Sequence, residues 1–136
     1  MSKQLKIIIF QVILPLLIGV FIYATLREQP PFKQFIPWSI PVFNISFLPR
    51  FLFVFVVYRM PDMLWTFSFV GILNYYQRNL LLSSLIVISV IIIYEYFQYE
   101  GIINGTGDVG DIFYSLCSLI IYIIFFRGNN NEKVPQ

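Results

Sequence analysis

The chain is 136 residues long, 58% hydrophobic, 19% aromatic and 12% charged, with a mean hydropathy of +0.77. That balance lies outside the soluble range and identifies an integral membrane protein, expected as a single transmembrane domain over residues 1–136. Nine basic and seven acidic residues give a net charge of +2, too balanced and scattered for nucleic-acid binding, and the absence of histidine excludes a His-based triad and the usual zinc sites.

The first expected element covers residues 7–26, after Lys3 and Lys6. It resembles a secretory leader only superficially, because its apolar run is long and no small-x-small cleavage site closes it. A retained first span is the expectation. Residues 27–60 follow with Pro30, Pro31, Pro37, Pro41 and Pro49, together with Trp38 and several phenylalanines. Five prolines forbid one continuous helix, and the apolar content argues against a solvated loop. The segment is expected to lie on the membrane surface or dip into it, with residues 51–58 as a possible re-entrant half-helix and five spans as the alternative.

A shorter span is expected over residues 63–76. Pro61-Asp62 reads as its start, with Asp62 capping the free amides of the first turn. Two further spans follow, at residues 80–98 and 111–126, giving an all-α bundle of about four transmembrane helices. The lone Cys117 has no partner for a disulfide, and the tail after residue 127 reads as a frayed polar end.

With an inside N-terminus, Lys3, Lys6, Arg78, Arg127 and Lys133 would face the cytoplasm, against Arg27, Lys33, Arg50 and Arg59 outside. The asymmetry is small but favours cytoplasmic termini. Parity says more than orientation. A second span that starts near Asp62 places the end of the third, with Glu95 and Gln98, and the start of the fourth, with Asp108 and Asp111, on one side of the membrane. Arg50 and Arg59 belong to that side too.

Carboxylates at a membrane boundary need partners, protons or water, which makes these residues the candidate site. Glu95 would require Arg50 or Arg59 beside it, or a proton; a structural ion pair and a ligand site are both open for it. Asp108 and Asp111 are also explained by helix capping alone. Ser115, Ser118 and Tyr122 continue from Asp111 as a polar or small stripe suited to close helix packing. Gly101, Gly105, Gly107 and Gly110 allow a tight turn, but match no phosphate loop. Trp38, Trp65, Tyr75, Tyr76, Tyr94 and Tyr99 read as interface aromatics, with ligand stacking an alternative for Trp65. The sequons at Asn44 and Asn104 read as chance.

The run Glu95-x-x-Gln98, then Gly105-Thr106-x-Asp108-x-x-Asp111-Ile112, resembles the second half of the VanZ-like family of small bacterial membrane proteins. Pro61-Asp62-Met63-Leu64-Trp65 resembles a helix-opening segment of some compact relatives of that family. The resemblance covers roughly residues 61–118. It departs where family members often carry an arginine before the first aspartate and an asparagine and glycine after the second; here stand Thr106, Ser115 and Ser118.

The resemblance implies a bacterial plasma-membrane protein and a cell-wall precursor, lipid-linked ligand or glycopeptide as the ligand class. The candidate binding residues are then Asp62, Glu95, Gln98, Asp108, Asp111, Arg50, Arg59 and Trp65, with no metal centre and no cofactor expected. A second function class is an accessory subunit of a larger membrane complex, in which the charged cluster is an internal staple. Enzymatic use of Glu95 or Asp108 ranks last, for want of a recognisable nucleophile.

Overall fold

The computed structural model describes residues 3–26, 43, 45, 47–104 and 107–126. Arg27, Lys33, Trp38, Asn44, Gly105, Thr106, Arg127 and Lys133 lie outside the described residues, as do most of the proline-rich segment and the C-terminal tail. No strand occurs among the described residues. Four helices carry the chain. Helix α1 runs as Lys3–Ile8, a π-helical turn Ile9–Ile13, and Leu14–Leu26. Helix α2 runs as Arg50–Val54, a π-helical turn Phe55–Arg59, and Met60–Gln77. Helix α3 is Leu80–Tyr99 and α4 is Val109–Phe126. All four are long and apolar enough to cross a membrane.

Helix α2 corrects the sequence expectation. Residues 51–58 are neither loop nor re-entrant half-helix but the opening turns of one 28-residue helix, so the described chain has four candidate spans rather than five. Pro61-Asp62 does not start a helix; the helix starts after Pro49, and Pro61 is buried within it. The reason is local. A proline inside an α-helix has no N–H to donate and presses its ring on the carbonyl four residues earlier. Here the preceding turn opens to π geometry, with the Met60 N–H donating to the Phe55 carbonyl five residues back. Pro15 in α1 is treated alike, with the Leu14 N–H donating to the Ile9 carbonyl.

Side-chain contacts give the topology. Gly71 of α2 faces the Gln11 carbonyl while Gly19 faces Trp65, so α1 and α2 are antiparallel. Arg59 meets Asp111 and Phe67 meets Tyr122, so α2 and α4 run the same way. Helix α3 returns between them: Ser83 reaches Gln77 at one end, and Glu95 reaches Asp108 at the other. The α2–α3 turn is closed by Arg78 in the left-handed region (φ 53°), and Asn79 caps α3 by accepting from the Leu82 N–H at 3.1 Å.

The interior is unusually polar. Val70, Val87, Leu119 and Tyr122 form the apolar centre, but Gln11, Thr25, Thr66, Ser68, Ser83, Ser84, Ser115 and Ser118 are buried as well. Phenylalanine, leucine and isoleucine instead cover the outside, as at Phe21, Leu81, Ile93, Ile124 and Phe125. In lipid, burial of apolar side chains gives helices little reason to associate; small residues that permit close approach and hydrogen bonds between helices do so instead. The stripe Ser115, Ser118 and Tyr122 lies on this inner face: the Thr66 and Ser115 hydroxyls are 3.1 Å apart, and Ser118 donates to the Met63 carbonyl at 2.6 Å. At the far end the Tyr122 hydroxyl donates to Gln11 Oε1 at 2.8 Å.

Candidate functional site

The end of α3 and the start of α4 are joined by a turn that needs glycine twice. Gly101 (φ 69°) ends α3, and Gly107 (φ 41°) lets the chain re-enter against it. A Cβ on Gly107 would stand 2.5 Å from the Tyr99 backbone nitrogen, so only hydrogen fits there. This close approach places the first amides of α4 under the side chains of α3's last turns.

Those amides are the free donors of a helix N-terminus, with its positive dipole end. Glu95 accepts from the Asp108 N–H at 2.9 Å, and Gln98 accepts from the Gly107 N–H at 3.2 Å. Asp108 is itself the cap, accepting from the Gly110 N–H at 2.7 Å. Arg59 arrives from α2 and bridges both aspartates: Nη2 lies 2.6 Å from Asp108 Oδ2, and Nη1 bonds Asp111 Oδ1. Its guanidinium rests on Gly110, where a Cβ would come within 3.0 Å, and 5.7 Å from the centre of the Tyr114 ring. The Gly110 N–H, and with it the Arg59 guanidinium, hold the Asp108 carboxyl below its ordinary range.

Of the eight expected site residues, the structure therefore gathers Glu95, Gln98, Asp108, Asp111 and Arg59. For Glu95 the sequence left an arginine or a proton as the compensating group; in the structure its carboxylate accepts from a backbone amide, and the nearby guanidinium bonds the aspartates, which the helix start brings closer to it. Asp62 lies one turn beyond Arg59, inside the helix and partly buried, with its carbonyl accepting from the Thr66 hydroxyl at 2.8 Å. Arg50 is exposed at the opening of α2, nine positions before the clasp, and makes no ion pair among the described residues. Trp65 faces the other way, stacked on Tyr23 of α1 at 5.5 Å between ring centres, with its indole against Gly19.

Three participants escape the sequence reading. Tyr114 beside Arg59, the Thr66 hydroxyl against Ser115, and Gln11 under Tyr122 were all visible as polar groups in apolar runs, but their partners lie 49 to 111 positions away. Among the described residues no group of three or more histidine, cysteine, aspartate or glutamate side chains is arranged to hold a metal ion.

Fold and cluster together define a small all-helical protein with four candidate membrane-crossing helices, fastened at one end by a carboxylate, amide and guanidinium network. No family model matches the chain, and neither a curated protein nor a solved structure matches it.

Proposed function

We propose that the chain is an accessory subunit of a larger membrane complex, in which the Arg59–Asp108–Asp111–Glu95–Gln98 cluster is an internal staple and the apolar outer faces meet lipid and partner helices. One observation carries this reading. The cluster's polar groups are spent on one another: Arg59 on both aspartates, and Glu95 and Gln98 on the amides of residues 108 and 107. This reading takes cytoplasmic termini, on the basic residues at both ends of the chain, and a bacterial plasma membrane, which is what the resemblance to the VanZ-like family implies.

A second reading, supported by a different observation, is recognition of a cell-wall precursor, lipid-linked ligand or glycopeptide. The cluster holds three carboxylates and one guanidinium, which pairs with the two aspartates only, and the Asp108 side chain keeps 39% of its surface exposed, which leaves negative charge open to an amine or sugar hydroxyl. The resemblance to the VanZ-like family points the same way. Catalysis has less support, since no nucleophile accompanies the acids.

Glu95→Gln separates the two. A staple loses the charge that complements the α4 amides, so the purified protein in detergent melts earlier, by a change of about 1–2 kcal/mol. A ligand site keeps its melting point and loses binding to a lipid-linked cell-wall precursor in isothermal titration. Unchanged stability with lost binding overturns the staple. Co-purification from native membranes tests the subunit role, which fails if the protein elutes alone at every detergent condition.

A further inference from the structure

Three asparagines fall among the described residues, and their settings differ. Asn74 lies inside α2, half-buried, within hydrogen-bond reach of the Tyr122 hydroxyl. Asn79 caps α3, its Oδ1 occupied by the Leu82 N–H at 3.1 Å, and Leu80 follows it. Asn104 has neither restraint. It is exposed in a bend outside any helix, and its side chain makes no hydrogen bond among the described residues. The chain is held on either side of it: the Ile102 and Ile103 N–H groups donate to the Phe97 carbonyl at 2.9 and 3.3 Å, and the Gly107 N–H donates to Gln98 at 3.2 Å. The residue that follows Asn104 in the sequence is a glycine.

An asparagine side chain can react with the backbone amide that comes after it. The nitrogen of residue 105, having given its proton to solvent, attacks Cγ of Asn104. The new N–C bond closes a five-membered succinimide while the Cγ–Nδ2 bond breaks, and Nδ2 takes a proton from water and leaves as ammonia. A water molecule then adds to one of the two ring carbonyls and opens the ring. Opening at Cγ leaves aspartate; opening at the main-chain carbonyl leaves isoaspartate, whose main chain is one carbon longer. No electrons are exchanged, and water is the only co-reactant. In folded proteins the reaction is held back by a helix or cap that fixes the asparagine, or by a side chain that crowds the following nitrogen. At Asn104 no helix or cap engages the side chain, and glycine brings no Cβ to the next position.

We infer that Asn104 is a site of spontaneous modification, at which water converts the turn between α3 and α4 to an aspartate or isoaspartate form as the protein ages. Asparagine is among the thermally labile residues, and exposed turns are where such change concentrates. The product places a further carboxylate at the end of the bundle that already holds Glu95, Glu100, Asp108 and Asp111. This chemistry is independent of whether the cluster there is a staple or a ligand site.

The test is peptide mapping by mass spectrometry on the full-length chain in detergent micelles, incubated at mildly alkaline and at mildly acid pH. The peptide bearing Asn104 is expected to gain about one mass unit and to separate into two products, faster at alkaline pH because the attacking amide must lose its proton. The peptides bearing Asn74 and Asn79 keep their mass. Gly105→Ala, which crowds the attacking nitrogen, slows the gain. Asn104→Gln, whose longer side chain would have to close a six-membered ring, abolishes it, and serves where Gly105→Ala does not fold.

An Asn104 peptide that keeps its mass at alkaline pH, or gains it no faster than those of Asn74 and Asn79, overturns the site. An undiminished rate in both variants overturns the cyclisation. A gain that begins only once the protein is unfolded in denaturant means that the folded turn shields Asn104, and overturns the inference as well.

Discussion

Asp108 shows how one side chain couples the cap of α4 to the rest of the bundle. The Gly110 amide and Arg59 favour its charged form, so its folded-state pKa lies below its unfolded value, which is near 3.8. The stability it contributes is therefore present above that unfolded value and is lost as pH falls through the lowered folded value. Thermal melts from pH 7 down to 3 are expected to show a loss at the acid end that Asp108→Asn reduces; equal acid sensitivity in both proteins contradicts this assignment. Gly107 is constrained more severely, by a positive φ and by the Tyr99 backbone 2.5 Å from any added Cβ. Gly107→Ala is expected to cost about 3 kcal/mol in equilibrium unfolding, the sum of left-handed strain and overpacking, while Gly101→Ala, with open space around its Cβ, costs the strain alone, about 1 kcal/mol. The glycines of this turn were visible in the sequence as turn formers. Which of them also had to admit a neighbouring helix was not, because that depends on where Tyr99 comes to lie.

At the level of elements, the lengths of α3 and α4 follow from continuous apolar runs bounded by Asn79 and by the glycine turn, and a sequence reading finds both. Helix α2 resists the same reading. Pro61 is a strong local stop signal, and its effect is cancelled by a π-turn whose hydrogen bond runs one residue farther back than an α-helix permits. The same substitution of register rescues Pro15, where the apolar run on both sides hid the interruption entirely. The pairing of α1 with α2 depends on Gly71, because a Cβ there would lie 2.8 Å from the Gln11 carbonyl oxygen, a backbone atom that moves only with its helix. Gly71→Ala is expected to destabilise the protein by about 1–3 kcal/mol in detergent-unfolding titrations and to weaken the Gln11–Tyr122 hydrogen bond. A variant as stable as the parent rules out this close contact. Acid clustering was legible from parity, since helices that alternate in direction return their ends to one boundary. The choice of Arg59 over Arg50 was not, because it required knowing that α2 continues past Pro61.

For the whole molecule, polar groups inside and apolar groups outside are distributed as a lipid-surrounded bundle requires. The unequal lengths of its helices carry a further consequence. Helix α2 has 28 residues and α4 has 18, so they reach about 42 and 27 Å respectively, on either side of the roughly 30 Å hydrocarbon core. The excess lies in the opening turns of α2, whose tip Arg50–Val54 carries the exposed apolar Phe51, Leu52 and Val54. With the four candidate spans in a bilayer, hydrophobic mismatch would make α2 respond to its thickness: a thick membrane would cover the tip, and a thin one would leave it standing in water or force α2 to tilt. Reconstitution in phosphatidylcholines of increasing acyl length is expected to raise the melting temperature until the tip is covered, and a charged residue in place of Phe51 should remove that dependence. A flat response to chain length in the parent protein would place the tip outside the membrane altogether. In a cell whose membranes differ in thickness, the same mismatch would sort the protein toward the thicker ones before any partner is met.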